Sequence, residues 1–423
     1  MSRKTIVCFG PGPMFKGGIA NYNTSLAKAF DKIHDVDVHI VSWTQQYPAI
    51  IPRDFIDRKS KVDQLEGTNI KVHYITNYNN PATWGETVRL IASLNPDKVV
   101  FQWAIAIQGI PLGRIASKLK KKSRAKIYFD LHFVIQKEGS ALDNKLTKFA
   151  IRNADAYIVH AFKTADELKS LFPEKKFEVI ERGQAIKGKG IIIHKLFHPV
   201  YDMFSPDKDL DIEKIKKDLG LKNHVFLFFG FIRKYKGLHN VIKAFNLISK
   251  QRDDVSLLIV GESFWNTLDS NKLSTKIKNI VFGFAKSVVL RKQDDERNYN
   301  PLALVDELGL HDKVYIDNEF VPNEAVGKYF QVSDAILLFY SYATPSGVES
   351  IGYNFKMPML ASRVGHFPET VKDGFNGYLA EAEDIVSMGQ AMIKSIEEPI
   401  DRENVAETSR EMSWENYAGE ILR

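Results

Sequence analysis

Cysteine is almost missing from this chain: Cys8 is the single one among 423 residues. One thiol cannot form an internal disulfide, so no covalent framework is expected, which fits a reducing compartment. Cys8 lies in the apolar run TIVCF and reads as a small buried hydrophobe rather than a reactive thiol. Long hydrophobic runs are missing too. Nowhere do about 18 apolar residues follow one another, so no transmembrane helix is expected. The apolar stretch of MSRKTIVCFGPG is too short for a signal peptide and ends in a glycine-proline turn. These absences point to a cytoplasmic protein. HExxH and CxxC spacings do not occur, and no DxD-type couple stands at a strand end. The acidic runs 253–254 and 294–296 fall in charged loops. No metal site is therefore expected. The GxSxG elbow and the kinase motifs are absent as well. The net charge of +6 is a mild excess that suits anionic small molecules or a membrane surface. Without a nucleic-acid motif it does not indicate nucleic acid.

What is present is a rhythm. KTIVCFG (4–10), VDVHIVSW (36–43), NIKVHYIT (69–76), KVVFQWA (98–104), AKIYFDLH (125–132) and AYIVHA (156–161) read as strands. Most are continuously apolar, as parallel strands covered on both faces are. Helical patterns such as IANYNTSLAKAFDKI and GETVRLIASL lie between them, which gives the βαβ alternation of a doubly wound sheet. The rhythm breaks at 183–204, a glycine- and proline-bearing stretch that reads as interdomain. It restarts with strands at 224–232, 255–261, 313–321, 335–341 and 358–365. Two α/β domains are expected. Residues 262–300 are a long insertion, with a helical pattern in STKIKNIVFGFAKSVVL.

Several strand-end turns carry residues suited to a ligand. In FFGFIRKYKGLHNVIKAF, Arg233 and Lys236 lie in a strand-to-helix turn, where open α/β sheets bind ligands. A guanidinium fork and a compact ammonium suit two linked phosphates, although a solvated charged turn explains them as well. In GPGPMFKGGIANYN, Gly17 and Gly18 let backbone approach a ligand at a helix start, without matching a dinucleotide fingerprint or a P-loop. In YSYATPSGVESIGYNF, Ser346, Gly347 and Val348 open a helix, and the later turn RVGHFPE holds Gly365 and Glu369. His132 follows a first-domain strand and reads either as structural or as a polar site group. RIASKLKKKSRAK (114–126) packs seven cations into thirteen residues, either a solvated helix face or a contact with anionic membrane.

The set GGI, GFIRKYKGL, FVPNEAVGKYFQVSDAILLFY, ATPSGV, KMPMLASRVGHFPETVKDGFNGYLA and SWENYAGEIL resembles a GT-B glycosyltransferase, and more narrowly glycosyltransferase family 4 (group 1). The likeness covers nearly the whole chain and is densest over 224–385. It implies an α/β fold of two Rossmann-like doubly wound parallel-sheet domains facing a cleft. The acceptor-side domain would span 1–200 and the nucleotide-sugar domain 201–405, with a last helix at 406–423 crossing back to the first. It implies a retaining, metal-independent transfer from a nucleotide-diphosphate sugar, UDP- or GDP-linked, to a glycan or lipid-linked acceptor in cell-surface polysaccharide biosynthesis. No cofactor is implied, since the nucleotide sugar is a substrate.

Residue by residue, Arg233 and Lys236 match the cation pair on the donor diphosphate, and Gly17 and Gly18 the glycine loop over the phosphates. His132 matches a histidine near the transferred sugar. Ser346, Gly347 and Val348 match the turn that meets the nucleotide sugar, and Glu369 matches a further contact. The chain departs from the family in one respect. A glutamate pair usual around this turn would fall near Ala343 and Ile351, neither acidic, so Glu349 is expected to replace the ribose contact. Two other classes fit the same resemblance. One is a GT-B-shaped sugar-nucleotide epimerase, which would need carboxylate partners in the cleft. The other is a non-catalytic GT-B binding protein, motivated by the missing glutamates.

Overall fold

The apolar runs become strands. The structure, a computed structural model, describes residues 3–49, 55–57, 63–135, 140–263, 299–319, 321–345 and 347–423. Among these, one unit holds the described residues up to Phe197 together with Trp414–Arg423, and a second runs from His198 to Ser413. The first is built on β1 (Lys4–Phe9), β2 (Val36–Gln45), β3 (Lys71–Asn77), β4 (Lys98–Trp103), β5 (Lys126–Leu131), β6 (Ala156–Val159), β7 (Phe177–Glu181) and β8 (Ile191–Lys195). Their order is β3-β2-β1-β4-β5-β6-β8-β7, and every pairing is parallel. Parallel strands need covered crossovers. The helices Gly18–Asp31, Pro81–Ser93 and Gly109–Lys122 supply three of them, each burying one apolar face.

The core sits on both sides of this sheet. Register places Phe9 beside Phe101 and Phe101 beside Phe129, so the three rings form a ladder across β1, β4 and β5 with centroid spacings of 4.9 and 5.0 Å. Such pairs contribute about 0.5–1.5 kcal/mol each beyond area burial. Cys8 points to the opposite face and is fully buried, and that burial, reinforced by Asp130, raises its thiol pKa far out of the reactive range.

The second unit contains β9 (His224–Phe229), β10 (Val255–Val260), β11 (Val314–Asp317), β12 (Ala335–Leu338), β13 (Met359–Ser362) and β14 (Gly377–Ala380). Their order is β11-β10-β9-β12-β13-β14, again all parallel. This is the doubly wound order in which the winding direction reverses between the first and fourth strands.

Two expectations are corrected. The stretch 183–204 is not all connection, because Ile191–Lys195 is β8, inserted between β6 and β7; the change of unit falls at Phe197 and His198. The run IIIHK is short and flanked by glycines and prolines, which hid it. The helix Arg402–Glu411, part of which was assigned to the returning segment, stays with the second unit. Most of the 262–300 insertion lies outside the described residues.

The helix Trp414–Leu422 belongs to the first unit. It packs on Gly18–Asp31, and Trp414 and Tyr417 both set their rings against Tyr22. The Tyr417 hydroxyl donates to Asp130 Oδ2 at 3.0 Å, while His160 Nε2 meets Asp130 Oδ1 at 3.0 Å. Burial works to raise the Asp130 pKa. His160 beside it and the hydrogen bonds from His160 and Tyr417 outweigh that effect and hold the carboxylate below its ordinary value. At the other end of the helix, Lys98 Nζ donates to the Ile421 carbonyl at 2.5 Å and Lys4 Nζ to that of Leu422 at 3.4 Å. Cations there suit the negative end of the helix dipole. Tyr417→Phe is expected to destabilise the first unit by about 1–3 kcal/mol, the cost of leaving a buried carboxylate oxygen unbonded. Urea unfolding followed by tryptophan fluorescence reads this, and an unmoved midpoint would contradict it.

Candidate functional site

In the second unit the switch of winding lies between β9 and β12, and ligands of such sheets bind beyond the carboxyl ends there. β9 ends at Phe229 and the chain turns at Gly230 with φ 90°. A Cβ at Gly230 would stand 3.0 Å from Lys236 Nζ and 3.3 Å from Val348 Cγ2. Two predicted site residues far apart in sequence therefore meet over the end of β9. Arg233 precedes the tight turn Lys234–Lys236, whose last N–H returns to the Arg233 carbonyl at 3.0 Å. Gly237, at φ 69°, then starts the helix Leu238–Ser249. The turn is tied to the end of β12, because the Ser341 N–H donates to the Tyr235 carbonyl at 2.8 Å.

Lys236 is 7% exposed, and no carboxylate among the described residues pairs with it. Its ammonium sits 5.7 Å from the Tyr340 ring centroid, a weak cation–π contact. Burial, with Arg233 nearby, pushes its pKa down to about 8. A group desolvated in this way regains its charge readily when an anion arrives. Arg233 itself is half-buried.

The turns after β12 and β13 are also packed together. Gly365 has φ 56°, and a Cβ on it would lie 2.0 Å from the Ala343 carbonyl oxygen. Gly347 opens the helix Gly347–Asn354, where a Cβ would strike Tyr201 at 2.5 Å. Ser346 lies outside the described residues. Glu369 is half-buried, and its N–H returns to the His366 carbonyl at 2.8 Å. Glu349 differs from expectation. It is buried, with Oε1 accepting from Thr370 Oγ1 at 2.5 Å and Oε2 bonded to His366 Nε2. The expectation of a ribose ligand is therefore corrected: both carboxylate oxygens are committed inside the unit, locking the turn after β13 to the helix after β12. His366 was missed because its role depends on a partner distant in sequence.

The first unit has its own switch point between β1 and β4. Gly17, at φ 103°, precedes the helix Gly18–Asp31, and both glycines are exposed. A Cβ at Gly17 would meet nothing within 4 Å, so the positive φ and not crowding is what requires glycine. His132, just past β5, bonds through Nε2 to Gln102 Oε1 at 2.8 Å. Burial lowers its pKa to about 4, despite the pull of Asp130. The imidazole is therefore neutral near pH 7. Gln102, Asp130 and His160 were not singled out in sequence, since only the β4–β5–β6 register brings them beside His132.

The seven cations of 114–126 are all exposed, most of them on the helix Gly109–Lys122, although Lys120 is bonded to Asp155. Among the described residues no helix is long and apolar enough to cross a membrane, and no three His, Cys, Asp or Glu groups are placed to hold a metal ion.

Two doubly wound parallel sheets, each with ligand-suited turns at its switch point, define the GT-B class, and solved structures agree. The chain matches a glycosyltransferase from Rickettsia africae with TM-score 0.66 at 16% identity, covering 100% of this chain and 97% of that one. It matches HepE of Anabaena, solved with UDP, with TM-score 0.63 at 16% identity, covering 99% and 98%. Likeness at this identity shows the fold. The model for Glycosyl transferases group 1 matches residues 211–412 and that for Glycosyltransferase Family 4 matches 16–184. The chain belongs to the family 4, group 1 glycosyltransferases. A curated relative, N-acetyl-alpha-D-glucosaminyl L-malate synthase of Bacillus anthracis, is 22% identical over 248 residues, 55% of this chain. The matched stretch spans about half of that relative's length, 56%.

Because the folded-state pKa of Lys236, about 8, lies below its ordinary 10.5, the unfolded chain binds more protons between these values. The second unit is thus expected to gain stability as pH rises from about 8 toward 10.5. Lys236→Met should flatten that rise in urea midpoints; an identical slope in both proteins would refute the assignment.

Proposed function

We propose that the chain is a retaining, metal-independent glycosyltransferase. It moves a sugar from a UDP- or GDP-linked donor to a glycan or lipid-linked acceptor in cell-surface polysaccharide biosynthesis. The observation that carries this reading is Lys236, a buried ammonium with no carboxylate partner among the described residues, next to Arg233 at the switch point of the second sheet. Support comes also from HepE, solved with UDP and with UDP-glucose, and from the fold match to WaaB, a lipopolysaccharide outer core galactosyltransferase.

In this reading the second unit binds the donor and the first unit the acceptor. Cleavage of the sugar–diphosphate bond builds negative charge on the leaving phosphate. Arg233 and Lys236 neutralise it, a task that a divalent ion performs in other enzymes. The backbone of Gly347 and Val348 meets the nucleotide sugar, with Ser346 and Glu369 assigned to the same turns. Gly17 and Gly18 contact the phosphates, and neutral His132 takes a sugar hydroxyl. The acceptor oxygen attacks on the face that the diphosphate leaves, and a departing phosphate oxygen takes its proton. No side-chain nucleophile is involved.

The exposed cations of 114–126 are proposed to hold the first unit at an anionic membrane surface on its cytoplasmic side, where lipid-linked acceptors lie. Liposomes containing anionic lipid should sediment the protein and neutral ones should not; equal sedimentation would remove this part. Arg233→Ala and Lys236→Ala are each expected to lower turnover about a hundredfold or more, the scale of losing an oxyanion-type contact. The measurement is acceptor-dependent release of nucleoside diphosphate across a donor panel, and near-normal rates in both variants would overturn the assignment. Release independent of acceptor would argue against transfer.

A further inference from the structure

β3 is an edge strand of the first sheet and pairs with β2 alone. Across that pairing His39 Nδ1 stands 3.0 Å from His73 Nε2, and His39 Nε2 stands 3.1 Å from Asp37 Oδ2. We propose that these two imidazoles and the carboxylate form an acid-sensitive clasp. It holds β3 on β2 while at most one ring is charged, slackens when both are, and through Tyr74 loosens the glycine-rich turn 10–17. The clasp lies outside the residues given roles in the transfer, and the inference does not depend on them.

Proton count sets its behaviour. An ionised carboxylate only accepts, so His39 Nε2 carries a proton toward Asp37. With both rings neutral, His39 Nδ1 accepts from His73 Nε2–H. A first added proton leaves one N–H between the rings. On His73 Nδ1 it keeps the bond as it was, and on His39 Nδ1 it reverses the bond's direction. A second proton puts an N–H on each of two facing nitrogens, with nothing between them to accept. His39 is 3% exposed, so water cannot take over there, and the rings lie almost parallel with centroids 5.3 Å apart. Two like charges then face one another across the strands, which weakens the pairing.

The surroundings oppose that second proton. Burial, with His39 and Lys71 nearby, holds the His73 pKa below its ordinary 6.5. Burial works to raise the Asp37 pKa; the hydrogen bond and charge of His39, then Lys71 and Arg3, outweigh it and keep the carboxylate ionised. Lys71 Nζ and Arg3 Nη2 stand 3.7 and 3.6 Å from Asp37 Oδ1. Asp97, between the helix Pro81–Ser93 and β4, gives an oxygen to the Thr5 N–H at 2.8 Å. Because His73 is harder to protonate in the closed strand, the open strand binds more protons below about pH 6.5. The closed form keeps its advantage above that pH and loses it as pH falls.

Tyr74 follows His73 on β3 and so faces the other side of the sheet. Its hydroxyl accepts from the Met14 N–H at 3.2 Å, and its ring lies 6.4 Å from that of Phe15. A Cβ on Gly12 would come within 3.2 Å of the same hydroxyl. Opposite Tyr74 in the register is Ser42, whose Oγ accepts from the Gly12 N–H at 2.8 Å. The turn is thus seated on two neighbouring residues of β2 and β3. Just past them the register of these strands shifts, between Ser42 and Trp43, so the ladder there is irregular.

Hydrogen exchange of the full chain, read by mass spectrometry at pH 7.5 and 5.5 and corrected for the intrinsic effect of pH, tests the clasp without donor or acceptor present. Protection of peptides covering 71–77 and 12–16 is expected to fall tenfold or more at pH 5.5, while β4 and β5 keep theirs. His73→Gln retains an N–H for His39 but cannot take up a proton, and should abolish the fall. His39→Leu should leave both peptides poorly protected at either pH. Equal wild-type protection at the two pH values overturns the proposal and needs no variant to fold. A fall that persists in His73→Gln overturns it as well, and so does a fall in 71–77 that leaves 12–16 unchanged.

Discussion

A buried ammonium that no carboxylate among the described residues answers organises the second unit. Removing a cation from water is costly unless a partner or a proton loss compensates. Lys236 has the ring of Tyr340 and a depressed pKa in place of a partner. Backbone close to it is arranged to tolerate this. Gly230 leaves room for its Nζ, Gly237 turns the chain under the Phe339 carbonyl, and Gly261, at φ 141°, lets the end of β10 approach that of β9. A Cβ at Gly230 would crowd the ammonium itself, whereas one at Gly237 or Gly261 would strike the backbone of Phe339 or Gly230. Local stability is given up at this turn, and strongly perturbed titratable groups of this kind cluster at functional sites.

Glu349 illustrates a different solution to the same demand for order. In relatives of this family the turn after β12 is expected to carry acidic ligands. Here the one nearby carboxylate faces inward, held by His366 and Thr370, and Tyr353 adds a hydrogen bond to the Thr370 carbonyl at 2.9 Å. The two turns are fixed to one another from behind. Gly347 and Gly365 let the same turns pack closely, since a Cβ would strike Tyr201 at the one and the Ala343 carbonyl at the other.

The sheets were legible in sequence wherever a run was apolar on both faces. β1, β4, β5, β9, β10 and β12 all announce themselves as predominantly apolar segments between helical patterns, with polar residues such as Gln102 and Asp130 only here and there. β7 and β8 did not: FEVIE is half-exposed at the sheet edge, and IIIHK is five residues among glycines and prolines. The four-residue β14 was hidden in the same way. Cations in a strand-to-helix turn were legible because their meaning is local. The contacts of His132 and Glu349 were not. Gln102, Asp130 and His160 come level with His132 only through pairing of β4, β5 and β6, and His366 reaches Glu349 only through the fold of two successive turns. Periodicity carries no record of such partners.

The helix Trp414–Leu422 has a consequence for how the chain is made. It supplies the Tyr417 hydroxyl to a carboxylate on β5, and its last carbonyls are capped by Lys4 and Lys98. During synthesis, β1 to β8 leave the ribosome long before this helix exists, with Asp130 short of a donor and Tyr22 uncovered. The N-terminal sheet must wait, partly finished, while the whole of the other unit is translated. Its completion joins residues more than four hundred positions apart, as in the contact of Lys4 with Leu422, so the final closure is a late and topologically distant event.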